Sequence, residues 1–166
     1  MLAMIAAGAT SCKKDSTTPK AGVAASLTAD NYGFDGSGGS AFKSTQAGIV
    51  SAAGIFTISA IKDGTTQSMS IVLIGVTATG TYSLDQGNAA GHGAIITKDY
   101  TKPTDLTLNY STDNDDGRGV KGGGQVVITK LTASEAEGTF YFTGYNSAGK
   151  AGFAEQGKFS GKINSH

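Results

Sequence analysis

Tryptophan is absent from this chain, and with it the largest flat side-chain face on which sugar rings stack. That absence weighs against a typical carbohydrate-binding surface. Cysteine occurs once, so no intrachain disulfide framework is available. Histidine occurs twice, at His92 and at the terminal His166, which is too few for a zinc site of three or four such ligands. No apolar run approaches the roughly 20 residues that a membrane-spanning helix needs. An excess of charge of either sign is missing too: 13 basic residues balance 13 acidic ones, and from Val23 onward there are 10 basic and 12 acidic residues. Nucleic-acid binding would call for a concentrated basic face, so DNA and RNA are excluded as partners. No G-x-S-x-G elbow marks a hydrolase nucleophile. Gly122-Gly123-Gly124 lacks the following helix and the Lys-Ser/Thr of a phosphate loop, and reads as a flexible hinge or a tight entry into a strand.

What is present is glycine, at 25 of 166 residues and about twice the usual share, together with much Thr, Ser and Ala. Charged residues make up only 16%. Helical proteins fill their helices with Glu, Lys, Leu and Arg. Glycine-rich turns between runs of Thr, Val, Ile, Phe and Tyr are what a many-stranded sheet needs. In 54–62, Phe56, Ile58 and Ala60 alternate with Ile55, Thr57 and Ser59. Residues 68–75 are apolar on both faces, as in a strand buried from both sides. Lys62-Asp63-Gly64-Thr65 between them predicts a hairpin turn. Further strands are predicted at 25–34, 41–50, 79–84, 93–98, 105–110, 125–131, 138–145 and 157–163, with Leu106, Leu108 and Tyr110 sharing one face of 105–110. Ser134 to Glu137 reads as a loop. The expected core comprises Ile58, Ile71, Leu73, Val126, Ile128, Phe140 and Phe142, with Tyr141 facing out. Short strands every ten or so residues make the fold class all-β, an antiparallel β-sandwich of roughly 8–10 strands, jelly-roll-like or Ig-like.

The N-terminus is organised differently. Residues 1–11 are apolar and then small, and Cys12 follows directly on Ala9, Thr10 and Ser11. This resembles the end of a signal peptide and a lipobox, with the positively charged start missing and Ala9 where Leu is usual. Lys13, Lys14 and Asp15 resemble the S-C-K-K-D start common in lipoproteins of Bacteroidetes-type bacteria. The expectation is cleavage before Cys12, lipidation of that cysteine, a polar tether over 12–23 and a single domain over 24–166. The partner implied is the membrane, through the lipid, at the outer membrane or cell surface. Two or three acyl chains at about 0.8 kcal/mol per buried methylene would hold the protein firmly.

G-V-T-A-T-G-T-Y-S-L (75–84), the stretch 122–146 with its Gly-Thr-Phe-Tyr-Phe strand, and the closing G-K-F-S-G-K-I carry a further resemblance. The chain resembles a family of uncharacterised lipid-anchored β-sandwich domains of Bacteroidetes-type lipoproteins, over roughly residues 25–163. Members often have Trp where this chain has Phe42. The resemblance implies a fold and a location; it implies no activity.

Candidate chemistry is sparse. Asp113, Asp115 and Asp116, with Asn114 and Gly117, offer hard oxygens that calcium could use. An EF-hand register, however, would put Gly123 at the position of the bidentate Glu, and a solvated turn explains the same composition. His92 in N-A-A-G-H-G could serve as a hydrolytic base if an acid lay beside it. Tyr82, Tyr110, Tyr141 and Tyr145 could stack on sugars, or could pack half-buried with their hydroxyls at the rim. The leading expectation is a non-enzymatic binding or accessory module needing no cofactor. Alternatives are a structural subunit pairing through an edge strand, a glycan-binding module, and a hydrolase centred on His92.

Overall fold

A computed structural model describes residues 25–165. Cys12, the tether and His166 lie outside the described residues. The described residues form ten strands: β1 (Ala25–Phe34), β2 (Ser37–Ala52), β3 (Ile55–Ile61), β4 (Ser68–Ile74), β5 (Gly80–Ser83), β6 (Gly93–Thr97), β7 (Asn109–Ser111), β8 (Gly123–Leu131), β9 (Glu135–Tyr145) and β10 (Ala151–Ser165). No helix occurs among them.

The expected sandwich is instead a barrel. β1 pairs with both β2 and β10, and β10 pairs with β9, so the order β1-β2-β3-β4-β6-β7-β9-β10 returns on itself as an eight-stranded ring. Beyond the start of β1, β10 bridges to β2 directly through a short parallel pairing at Ile163–Ser165. All other strand pairs are antiparallel. β8 and β5 extend the sheet from β9.

Closure needs strong bending, and β-bulges supply it. In β10 Gly152 and Ala154 are buried, yet so are Gly157 and Phe159. The extra residue lies between Ala154 and Gly157, where Gln156 takes a positive φ of 53°. It flips the parity and keeps the apolar set on the inside. β1 shows similar register shifts against β2.

The core follows the predicted alternation. Ile58, Ile71, Leu73, Val126, Ile128, Phe140 and Phe142 are all buried, while Tyr141 is 53% exposed. Leu27, Phe42, Ile49, Leu84, Ile96 and Tyr110 complete the packed interior. Phe42 meets Tyr32 edge-on at 5.5 Å. The Lys62–Thr65 turn forms as expected: the Thr65 N–H donates to the Lys62 carbonyl at 3.1 Å, and Gly64 takes a φ of 72°. Only Gly64 of the Asp-Gly pair uses positive φ.

Three expectations are corrected. β4 is buried on one face only, with Ile74 exposed and Val72 half-buried on the other. Residues 105–108 are a turn, and Leu106 is 62% exposed while Tyr110 is fully buried. The Asp105 carboxylate accepts from the Thr107 N–H and hydroxyl, which curls the chain before it can extend. Glu135 to Glu137 belong to β9, held from outside by Lys130.

One polar tie joins the β1–β2 turn to β6 and β7. Asp35, with a φ of 56°, accepts from the Tyr110 hydroxyl at 2.7 Å and pairs with Lys98. The Lys98 ammonium also sits 5.5 Å from the Phe34 ring centroid. Hydrogen bonding from Lys98, helped by Tyr110 and opposed by partial burial, holds the Asp35 carboxyl below its ordinary value of 3.8. A folded value below the unfolded one means the tie stabilises above about pH 4 and is lost as pH falls through the lower folded value. Asp35→Asn should therefore lose less stability than the parent on acidification below about pH 4, as read by urea denaturation across pH. Parallel acid limbs would show that Asp35 carries none of this dependence.

Candidate functional site

The outer wall of β6 and β7 forms the floor of an open cleft of about 960 Å³. Ile95, Thr97, Asn109 and Ser111 make the floor; Tyr100, Pro103 and Leu106 make one wall; residues 113–117 and 146–149 make the others. Strand alternation explains the floor, because Ile96 and Tyr110 point inward and so their neighbours point out. Loop chemistry explains the walls. The Asn146 amide donates to the Thr107 carbonyl at 2.6 Å, and Asn114 donates to the Tyr145 carbonyl at 2.9 Å. Asn109 donates to the Pro103 and Asp105 carbonyls, and Gln86 to the Asp113 carbonyl at 2.9 Å. Four amides thus stitch separate loops into a pre-shaped rim.

A shallower depression of about 540 Å³ lies alongside, lined by Val120, Lys121, Gly122–Gly124, Tyr141, Thr143 and Tyr145, and it shares Gln86 with the cleft. Ser111 on the cleft floor is the cross-strand partner of Tyr145. Among the described residues seven large apolar side chains are exposed, and five of them border these two depressions: Ile95, Tyr100 and Leu106 the first, Val120 and Tyr141 the second. The other two, Ile55 and Ile74, are cross-strand partners elsewhere on the wall. Clustering of this kind marks an interaction site more reliably than scattered exposure does.

A family model described as a domain of unknown function, DUF6252, matches residues 35–161, more than half of the chain. The chain belongs to the DUF6252 family. No curated protein and no solved structure matches it. The DUF6252 segment contains every residue of the cleft and of the neighbouring depression.

The sequence-derived site residues of this DUF6252 domain are only partly gathered. Asp113, Asp115 and Asp116 line the cleft together. They form a turn of the kind the composition suggested: Asp115 accepts from the Gly117 N–H, and Asp116 from the Arg118 and Val120 N–H groups. Those backbone donors hold the Asp116 carboxyl below its ordinary value. Among the described residues no three His, Cys, Asp or Glu side chains converge as a metal-holding group. Tyr141 and Tyr145 share the outer face of β9. Tyr82 is half-buried, donates to the Ala78 carbonyl at 2.7 Å and packs edge-on against His92. Tyr110 is buried and offers no stacking face.

His92 is buried beside Tyr82 in a structural setting. Its Nδ1 accepts from the Ile74 N–H at 3.0 Å, and its backbone is clamped by Asn88. Burial pushes its pKa down, toward the neutral form that this acceptor role requires. The acid that a hydrolytic pairing would need is not among its hydrogen-bond partners.

Sequence reasoning missed Ile95, Tyr100 and Leu106. Pro103 followed by Asp105 was the available signal, since both favour turns, and it would have turned Leu106 outward.

Proposed function

We propose that this DUF6252 chain is a non-enzymatic binding module of the cell envelope, held by a lipidated Cys12, with the β6–β7 cleft as its ligand site. The observation that carries the reading is the gathering of exposed Ile95, Tyr100 and Leu106 in one pre-shaped, acid-rimmed cleft. Its volume is in the range of ligand clefts generally, about 300–1,000 Å³.

The geometry suits a tethered receptor. The chain enters the barrel at Ala25, opposite Gly161, while the cleft rim includes the β9–β10 turn just before Gly152. The stretch of β10 between those glycines is roughly 30 Å long. A lipid anchor preceding Ala25 would thus join the barrel about that far along β10 from the cleft rim.

Glycan binding is the second reading, favoured by Tyr141 and Tyr145 on the face beside the cleft. Assembly through an edge strand draws less support, because the ring leaves β5, four residues long, as the terminal strand of the sheet.

Two arms test the proposal. Cys12→Ser should move the protein from the membrane to the soluble fraction of cells; a variant that stays membrane-bound without detergent overturns the anchor. Tyr100→Ala combined with Leu106→Ser should keep parental stability and abolish retention on an array of envelope glycans and peptides. Unchanged retention of the double variant overturns the site.

A further inference from the structure

The cleft's charge inventory is one-sided, and this narrows what can occupy it. Its ionic lining consists of Asp113, Asp115 and Asp116, with no Lys or Arg. Arg118 and Lys121 follow in the chain, but Lys121 lines the neighbouring depression and Arg118 is absent from the cleft lining. Each rim amide commits at least one of its two N–H groups to the rim itself. Asn109, Asn114, Asn146 and Gln86 all donate to backbone carbonyls of the rim. The Thr97 hydroxyl donates to Asn109. Beside the neutral hydroxyls of Tyr100, Ser111 and Ser147, the charged groups of the lining are acceptors only: the Asp113 carboxylate and the second oxygens of Asp115 and Asp116.

A wall whose only charges are carboxylates fits a cationic ligand. A protonated amine has three N–H donors and no acceptor to satisfy, and it complements the carboxylates in charge. An N-acetyl group is neutral and gains nothing from the charge of the three carboxylates. Opposite the carboxylates, Ile95, Tyr100 and Leu106 offer an exposed apolar shelf suited to the carbon face of a ring.

An extended basic peptide fits less well. Peptides that add to sheets use a free edge, whereas β6 is hydrogen-bonded to β4 on one side and β7 on the other. Resting on the cleft reading above, we propose that the occupant is a short oligosaccharide of amino sugars bearing free amines, with its amines on Asp113, Asp115 and Asp116 and a ring face on Tyr100 and Leu106.

The test uses the full chain produced without lipidation, titrated calorimetrically at mildly acidic pH with β-1,4-linked trimers of glucosamine, N-acetylglucosamine and glucose, and with trilysine. The glucosamine trimer should bind at least about tenfold more tightly than the other three. Its affinity should fall between about 50 and 500 mM salt as the charges are screened. Asp113→Asn with Asp115→Asn keeps the acceptor oxygens, so it should preserve the fold and remove the preference for the free amine. Equal or tighter binding of the acetylated trimer overturns the charge argument while leaving the cleft a binding site. Equal binding of trilysine overturns the saccharide commitment. Absence of binding by all four overturns the inference, and the Tyr100 and Leu106 double variant then decides separately whether the cleft is a site at all.

Discussion

Phe142→Ala should destabilise the fold by about 3–5 kcal/mol, while Tyr141→Ala, one residue away, should cost little. Phe142 is almost completely buried and its ring stacks on that of Phe140 at 6.2 Å between centroids. Truncation would leave a cavity in a wall braced by β8 on one side and β10 on the other, where little collapse is possible. Domains of this size usually have about 5–15 kcal/mol in total, so the loss is a large share of it. Urea unfolding with unchanged slope and a much lower midpoint is the expected readout. Comparable midpoints for the Phe142 and Tyr141 variants would mean that the faces of β9 are not energetically distinct.

This contrast was legible in the sequence because β9 has one buried face and strict alternation, so parity alone assigns every side chain. The same logic failed at β4. Val72 and Ile74 are β-branched residues on an outer face, and parity cannot separate that from burial on both sides. It failed again at 105–108, where local side-chain to backbone bonds from Asp105 overrode an apparent alternation. Barrel closure was not legible at all. It depends on β1 pairing with both β2 and β10, and on bulges such as the one at Gln156. Those are long-range pairings and register shifts, whereas the local pattern of a barrel strand is the same as that of a sandwich strand.

The candidate site shows the same division. Asp113 to Gly117 could be read as a turn because its bonding is local. The cleft could not, because its parts are brought together from 86, 95–117 and 146–149 by the fold. Tyr110 and Tyr100 illustrate the difficulty: both are tyrosines near the same strand, and their roles reverse according to which lies inside the barrel.

Gly124→Ala is expected to be strongly damaging for so small a change. A Cβ at this position would lie 2.2 Å from the Tyr141 carbonyl oxygen and 2.5 Å from the Phe142 Cα, both backbone atoms that cannot rotate away. Gly124 also has a φ of 154°, which a side chain rarely adopts. Strain of that kind costs about 1–3 kcal/mol, and forced repacking about 1–3 kcal/mol more. The three glycines are thus a tight strand entry: Gly122 and Gly123 press likewise against Thr112 and Asp85. Because Gly124 pairs with Phe142 and accepts from the Leu84 N–H, relief of the clash must pull β8 from β9 or loosen the connection after β5. Gly48→Ala is the control. It sits in β2, where a Cβ would meet only the Ser59 hydroxyl at 3.7 Å, an ordinary contact. Thermal unfolding should place Gly48→Ala beside the parent and Gly124→Ala well below both. Equal midpoints for the two variants would show that the β8–β9 seam yields easily, and that the glycine run is a hinge after all.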